Sequence, residues 1–184
     1  MDSSPTAQAL ETALILPVPA AEKLVDPWRR QYDPSASLGV RAHITLLYPF
    51  VPPDRINETI IDGLRTFFAS AVAFRFTLSR LAAFPGALYL DLDPPEPVTA
   101  IIEQLTARYP ETPPYGGRFE RVVPHLTVAQ VPDAHHLEEI RTELATMAQN
   151  TLPIEAQANE SWLMQGPTDG LWATEHRFPF GRRG

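Results

Sequence analysis

The pattern His-x-Thr-aliphatic occurs twice in this chain, at His43-Ile44-Thr45-Leu46 within "HITLLYPF" and at His125-Leu126-Thr127-Val128 within "HLTVAQ". Both copies lie in β-rich runs, 41–50 and 121–131. Side chains alternate faces along a strand. His43 and Thr45 therefore share one face and Ile44 takes the other; His125 and Thr127 share a face opposite Leu126. Each apolar middle residue can anchor in a core while its His–Thr pair faces outward. By the same parity Tyr48 points away from His43.

The surroundings of the two copies also repeat. One unit runs strand, helix, loop, HxT strand, helix, strand. The first opens at "ALILPVPAAEKLV" and the second at "ALYLDLDPPEPVTAII". Such duplication gives two similar lobes about a pseudo-two-fold axis. If the lobes are so related, the two His–Thr pairs converge across the cleft between them.

The individual elements are read as follows. "TALILPVP" (12–19) is a buried strand ended by prolines. The helix over 20–32 is expected to break or restart at Pro27, and 33–39 is a loop. Asp54 is the expected N-cap of a helix whose face carries Ile56, Ile60, Ile61, Leu64, Phe67 and Phe68. Strands at 74–84 and 87–95 flank a Pro-Gly turn, and a helix follows over 98–109. Residues 110–117 form a loop, with "PPYGG" as a mobile rim. Pro124 implies an edge strand or an irregular start. Asp133 caps a helix with Leu137, Ile140, Leu144 and Met147 as its core stripe. Segments 153–165 and 171–180 read as one hairpin. The whole chain, 1–184, is expected to be one domain of two lobes, with 1–11 and 181–184 as flexible ends and Arg182–Arg183 disordered.

Two facing histidines suit phosphodiester hydrolysis without a metal. One neutral imidazole takes a proton from attacking water, and the other, protonated, donates to the departing oxygen. Histidine has an unperturbed pKa of about 6.5, so both forms are accessible near neutrality. Each proton transfer contributes about 10²–10⁴-fold. Two threonine hydroxyls can bind the non-bridging oxygens.

These residues resemble the two-histidine (2H) phosphoesterase superfamily, in particular its 2′-5′ RNA ligase-like branch. His43, Thr45, Leu46 and His125, Thr127, Val128 satisfy its paired H-x-[T/S]-aliphatic signature, and "HITLLYPFVPP" is similar to the extended first motif of bacterial members. The resemblance runs from about residue 12 to about residue 180. It implies an α+β, bilobal fold with two mostly antiparallel sheets flanked by helices around a central cleft. It also implies opening of 2′,3′-cyclic phosphates of nucleotides or RNA ends, with no cofactor and no metal, and with reversible 2′-5′ RNA ligation as a further activity. His43, His125, Thr45 and Thr127 are then the catalytic set.

Candidate substrate-binding residues surround that set. Arg41, Arg118 and Arg121 closely precede the motifs and can clamp a phosphate. Tyr115, Phe84 and Tyr89, with Tyr48 and Trp172, can stack a base. His135 and His136 stand at a helix start and His176 near the C-terminus; all three read as surface or structural, and their spacing makes no metal site.

Composition limits the partners. The net charge of −7 argues against a long nucleic-acid footprint but permits a small phosphorylated ligand. Fourteen of the fifteen basic residues are arginine, a bias ascribed to genomic base composition. Cysteine is absent, which excludes thiol catalysis and disulfides and fits a cytoplasmic protein. The start "MDSSPTAQAL" lacks a secretory pattern, and no run is long enough for a membrane span. A monomeric enzyme is the reading these features favour. A non-catalytic nucleotide or phosphometabolite binding module using the same groove is the alternative, and a scaffold with a partner surface is a weaker third.

Overall fold

The computed structural model describes residues 9–182. Two four-stranded sheets carry the chain, ordered β2-β1-β7-β8 and β5-β4-β3-β6. All their pairings are antiparallel. The first contains β1 (Leu10–Pro17), β2 (His43–Leu47), β7 (Glu160–Pro167) and β8 (Ala173–Pro179). The second contains β5 (His125–Gln130), β4 (Ala87–Asp93), β3 (Phe74–Phe84) and β6 (Ile154–Ala158). Each HxT strand is thus an edge strand, and Pro124 stands just before one of them, where no ladder donor is needed. The two edges pack against each other.

The helices are α1 (Glu22–Tyr32), α2 (Pro34–Ser37), α3 (Glu58–Ser70), α4 (Glu96–Arg108) and α5 (Ala134–Ala148). Their packing exchanges the halves of the repeat. Helix α1, from the first unit, lies against β5 of the second sheet, and α4, from the second unit, lies against β2 of the first. Strand exchange follows the same rule: β3 ends the first unit but pairs with β4, and β7 pairs with β1. One continuous core therefore joins both sheets, from Leu14, Ile44 and Leu46 to Leu90, Leu126 and Val128. Ile44 and Leu126 are both fully buried, each worth about 1.5–3 kcal/mol, and they fix the strand parity of the two motifs.

Several sequence expectations are corrected here. Helix α1 runs through Pro27 without a break. Pro27 and Lys23, whose carbonyl loses its partner, are both exposed, so the carbonyl left unpaired faces solvent, where the loss costs least. Asn57, not Asp54, caps α3, accepting from the Ile60 N–H at 3.1 Å. Asp54 sits in a 3₁₀ turn, Pro53–Arg55, set up by adjacent prolines. Asp133 does cap α5, but Met147 is 54 % exposed. Ala148 completes the buried stripe after Leu144, as a 3.6-residue period requires. Segment 153–165 is not one strand. It divides at Asn159 into β6, which belongs to the second sheet, and β7, which forms the hairpin with β8. Helix α4 starts at Glu96, and β5 is confined to 125–130.

The ends are more ordered than expected. Leu10 and Glu11 already pair with Pro167 and Gly166, and Gly181 bridges to Val72. Residues 1–8 and 183–184, including Arg183, lie outside the described residues. Among the described residues no helix is long and apolar enough to cross a membrane.

Candidate active site

A cleft of about 770 Å³ lies between the sheets and takes in His43, Thr45, His125 and Thr127 together. All four are half-buried, and the residues between and after them are fully buried. Strand parity delivers the pairs as the sequence implied.

Each histidine is held by its own chain. His43 Nδ1 lies 2.7 Å from the Arg41 carbonyl, and His125 Nδ1 lies 2.7 Å from the Val123 carbonyl. A carbonyl only accepts, so each Nδ1 carries the proton and donates. In the neutral rings Nε2 is left unprotonated, free to take a proton. Phe84 and Tyr89 brace His125 further, each edge-to-face with its ring at 5.2 Å.

Burial lowers the affinity of both rings for a second proton. His43 is pushed down to about 4, first by desolvation and then by the Arg29 guanidinium. Its bond to the Arg41 carbonyl, the Asp33 carboxylate and His125 have smaller effects, the first two upward and the last downward. His125 is also below its ordinary value, by desolvation, with its bond to Val123 opposing. Arg29 itself is buried, bonded to Asp33 at 2.9 Å, and to Ser35 and the Val40 carbonyl at 3.0 Å each. It thereby pins the segment whose next carbonyl orients His43.

The structure sorts the other candidates. Arg118, Arg121, Tyr115 and Phe84 line the cleft. Both arginines are exposed, and among the described residues neither has an acidic partner. Tyr115 comes from the loop after α4, reaching across to the first lobe. Its N–H donates to the Tyr48 carbonyl at 2.6 Å. Its backbone is left-handed (φ 53°), unusual for a bulky residue. Burial raises its phenol, and the Thr45 hydroxyl beside it pulls the other way.

Two candidates fall outside the cleft lining. The Arg41 side chain is turned away, in a bidentate pair with Glu22 at 2.8 and 2.7 Å; only its carbonyl serves the site. Tyr89 is 8 % exposed and its face is covered by Phe84 at 4.2 Å, so it braces His125 instead of offering a stacking surface. His135, His136 and His176 are exposed. Among the described residues no group of three or more His, Asp or Glu side chains is placed to hold a metal.

The cleft also holds residues that parity misplaced. Ile15 pairs with Thr45 but Leu14 pairs with Leu47, so Leu46 is an extra residue. Tyr89 pairs with Thr127 but Leu88 pairs with Ala129, so Val128 is an extra residue in the same place. A bulge of this kind reverses the alternation beyond it. Tyr48 and Gln130, each five residues after a motif histidine, therefore turn into the cleft. Loop residues Asp33, Ser35 and Leu38 and hairpin residues Met164 and Trp172 complete the wall. Tyr48 and Trp172 were legible only as candidates for stacking a base; the others carried no sequence signal.

Comparison with known proteins agrees with this geometry. The family model of the 2′-5′ RNA ligase superfamily matches residues 16–170. A Bacillus cereus (strain G9842) protein named as a candidate phosphoesterase is 25 % identical over 178 residues, covering 92 % of this chain and 95 % of its own. A similarly named Bacillus cytotoxicus protein is 29 % identical over 129 residues, covering 68 % of this chain and 72 % of its own. Among solved structures, Escherichia coli LigT complexed with 3′-AMP aligns with a TM-score of 0.59 at 14 % identity, covering 94 % of this chain and 99 % of that one. LigT complexed with NADP+ aligns at 0.57 and 15 %, covering 95 % and 99 %. A protein of Thermus thermophilus, TT0787, aligns at 0.56 and 15 %, covering 95 % and 100 %. The structural likenesses speak for the fold, and the family match spans most of the chain: this protein belongs to the 2′-5′ RNA ligase superfamily of two-histidine phosphoesterases.

Proposed function

We propose that this protein is a metal-independent phosphodiesterase that opens 2′,3′-cyclic phosphates on nucleotides or short RNA ends. The observation that carries the proposal is the matched pair of histidines, each with Nδ1–H tied to a carbonyl two residues back, so that Nε2 is the free atom in both. In the reaction, one Nε2 takes a proton from water as the water oxygen bonds to phosphorus. The bond from phosphorus to one ribose oxygen breaks. The other imidazolium gives its Nε2 proton to that oxygen, so charge does not build up on the leaving group. Thr45 and Thr127 donate to the non-bridging oxygens, and Arg118 and Arg121 neutralise the phosphate from the rim.

With a 5′-hydroxyl in place of water the same step joins two ends: its oxygen bonds to phosphorus, the bond from phosphorus to the 3′-oxygen breaks, and that oxygen takes the imidazolium proton, so 2′-5′ ligation is available to the same site. LigT is seen with 3′-AMP and NADP+, and ligands of that size suit a cleft of about 770 Å³. The net charge of −7, against two cleft arginines, suits a small ligand over a long nucleic acid.

The test is turnover of 2′,3′-cyclic nucleotides in the presence of a chelator, with phosphorus NMR of the product. His43→Ala and His125→Ala should each lower the rate about 10²–10⁴-fold. Unchanged rates in both variants would sink the assignment. Tight binding by calorimetry without turnover would favour a binding module in the same groove.

A further inference from the structure

The two walls of the cleft differ in chemistry. On the first-lobe side, Ala13, Ile15, Val40 and Met164 form an apolar cluster with Trp162, and Tyr48 and Trp172 pack against it. Trp162 is outside the cleft lining; the other six line the same cleft as His43 and Thr45. The polar atoms of this wall are already engaged. The Tyr48 hydroxyl donates to Glu11 at 2.7 Å. The Trp172 indole N–H donates to the Pro167 carbonyl at 3.0 Å. The Met164 sulfur accepts from the Thr174 hydroxyl at 3.2 Å. What remains for a ligand is aromatic and aliphatic surface.

The wall is also preformed. The Trp172 backbone N–H is pinned to the Leu38 carbonyl at 2.8 Å, and its ring meets Tyr48 edge-on at 6.2 Å. The indole lies over Gly166, where a Cβ would come within 2.4 Å of the ring. Only glycine leaves that seat open.

We infer that this wall is the subsite for the substrate's planar heterocycle, which it recognises by shape and stacking without reading the ring's hydrogen-bonding edge. The inference rests on the cyclic-nucleotide reading above and narrows it. A ring placed against Trp172 and Tyr48 finds both side-chain donors already spent, on the Pro167 carbonyl and Glu11. Pockets built to hydrogen-bond a ligand reject the wrong partner by about 10⁴–10⁵, whereas apolar pockets discriminate by only about 10–200-fold. The enzyme should therefore require a base and care little which base it is. Base stacking on an aromatic side chain contributes about 1–3 kcal/mol, or roughly 5–150-fold in affinity.

The experiment compares kcat/KM of the full-length protein on the 2′,3′-cyclic phosphates of adenosine, guanosine, cytidine and uridine, and on 1-O-methylribose 2′,3′-cyclic phosphate, which has no base. The four nucleotides are expected within about tenfold of one another, and the base-free compound at least about tenfold below them all. Trp172→Ala should raise KM for all four nucleotides in parallel, at least about fivefold more than for the base-free compound; circular dichroism checks that the variant is folded. If it is not folded, the five-substrate series on the wild type decides alone. A preference above about 100-fold for one base, or base-free turnover equal to that of nucleotides, overturns the subsite while leaving the phosphodiesterase standing. No turnover of any of the five compounds overturns both.

Discussion

His43 and His125 each spend one N–H on a carbonyl two residues earlier, and this small bond decides which atom is left for chemistry. Because both rings are held below their ordinary pKa, both are neutral in the free site above about pH 6.5. The proposed acid–base reaction needs one of them protonated. On the alkaline side kcat/KM, which reports the free enzyme, should therefore fall about tenfold per pH unit above about 6.5. A plateau reaching about pH 8 would contradict it. Tyr115 carries the other residue-scale expectation: Tyr115→Phe removes the phenol oxygen that holds the Thr45 hydroxyl and should lower kcat roughly 2- to 10-fold with KM little changed, the worth of one hydrogen bond of about 0.5–1.5 kcal/mol. Steady-state kinetics of the folded variant checks this. The shared facing of His43 with Thr45 and of His125 with Thr127 was legible because parity within a short strand depends only on neighbours. Sequence order could not show that Glu22 lies within reach of the Arg41 guanidinium and holds it away from the cleft.

Helix and strand limits tell a similar story one level up. Asp54 and Asn57 are both good capping residues, and local sequence does not choose between them. The adjacent prolines do, by spending Asp54 in a 3₁₀ turn. Asn57→Ala should then cost about 1 kcal/mol of stability and Asp54→Ala less than about 0.5 kcal/mol, as denaturant midpoints would show. Equal effects would point back to Asp54. The continuous look of 153–165 hid a change of sheet at Asn159. Its two halves have similar composition, and only the pairing with β3 or β1 separates them. The bulges at Leu46 and Val128 were invisible for a related reason. An apolar pair such as Leu46-Leu47 reads as a strand whether or not the ladder skips a residue.

The duplication was legible as a pattern at the scale of the molecule, but the exchange was not. Helices α1 and α4 each cover the other unit's HxT strand, and β3 and β7 each complete the other unit's sheet. Neither half can bury its own apolar faces. Residues 1–84 expressed alone should accordingly fail to give a cooperative thermal transition, whereas the full chain should melt in one step by calorimetry. A stable, cooperatively melting half would refute the shared core. The paired bulges have a practical corollary for anyone redesigning the protein. In an unbroken ladder, a residue that tunes ligand choice would have to sit at 47 or 129, and these sites are fully buried. The skipped residue brings 48 and 130 into the cleft lining instead, and neither of them is fully buried. A two-position library at Tyr48 and Gln130 therefore changes the cleft lining while leaving His43, Thr45, His125, Thr127 and the fully buried residues at 47 and 129 as they are.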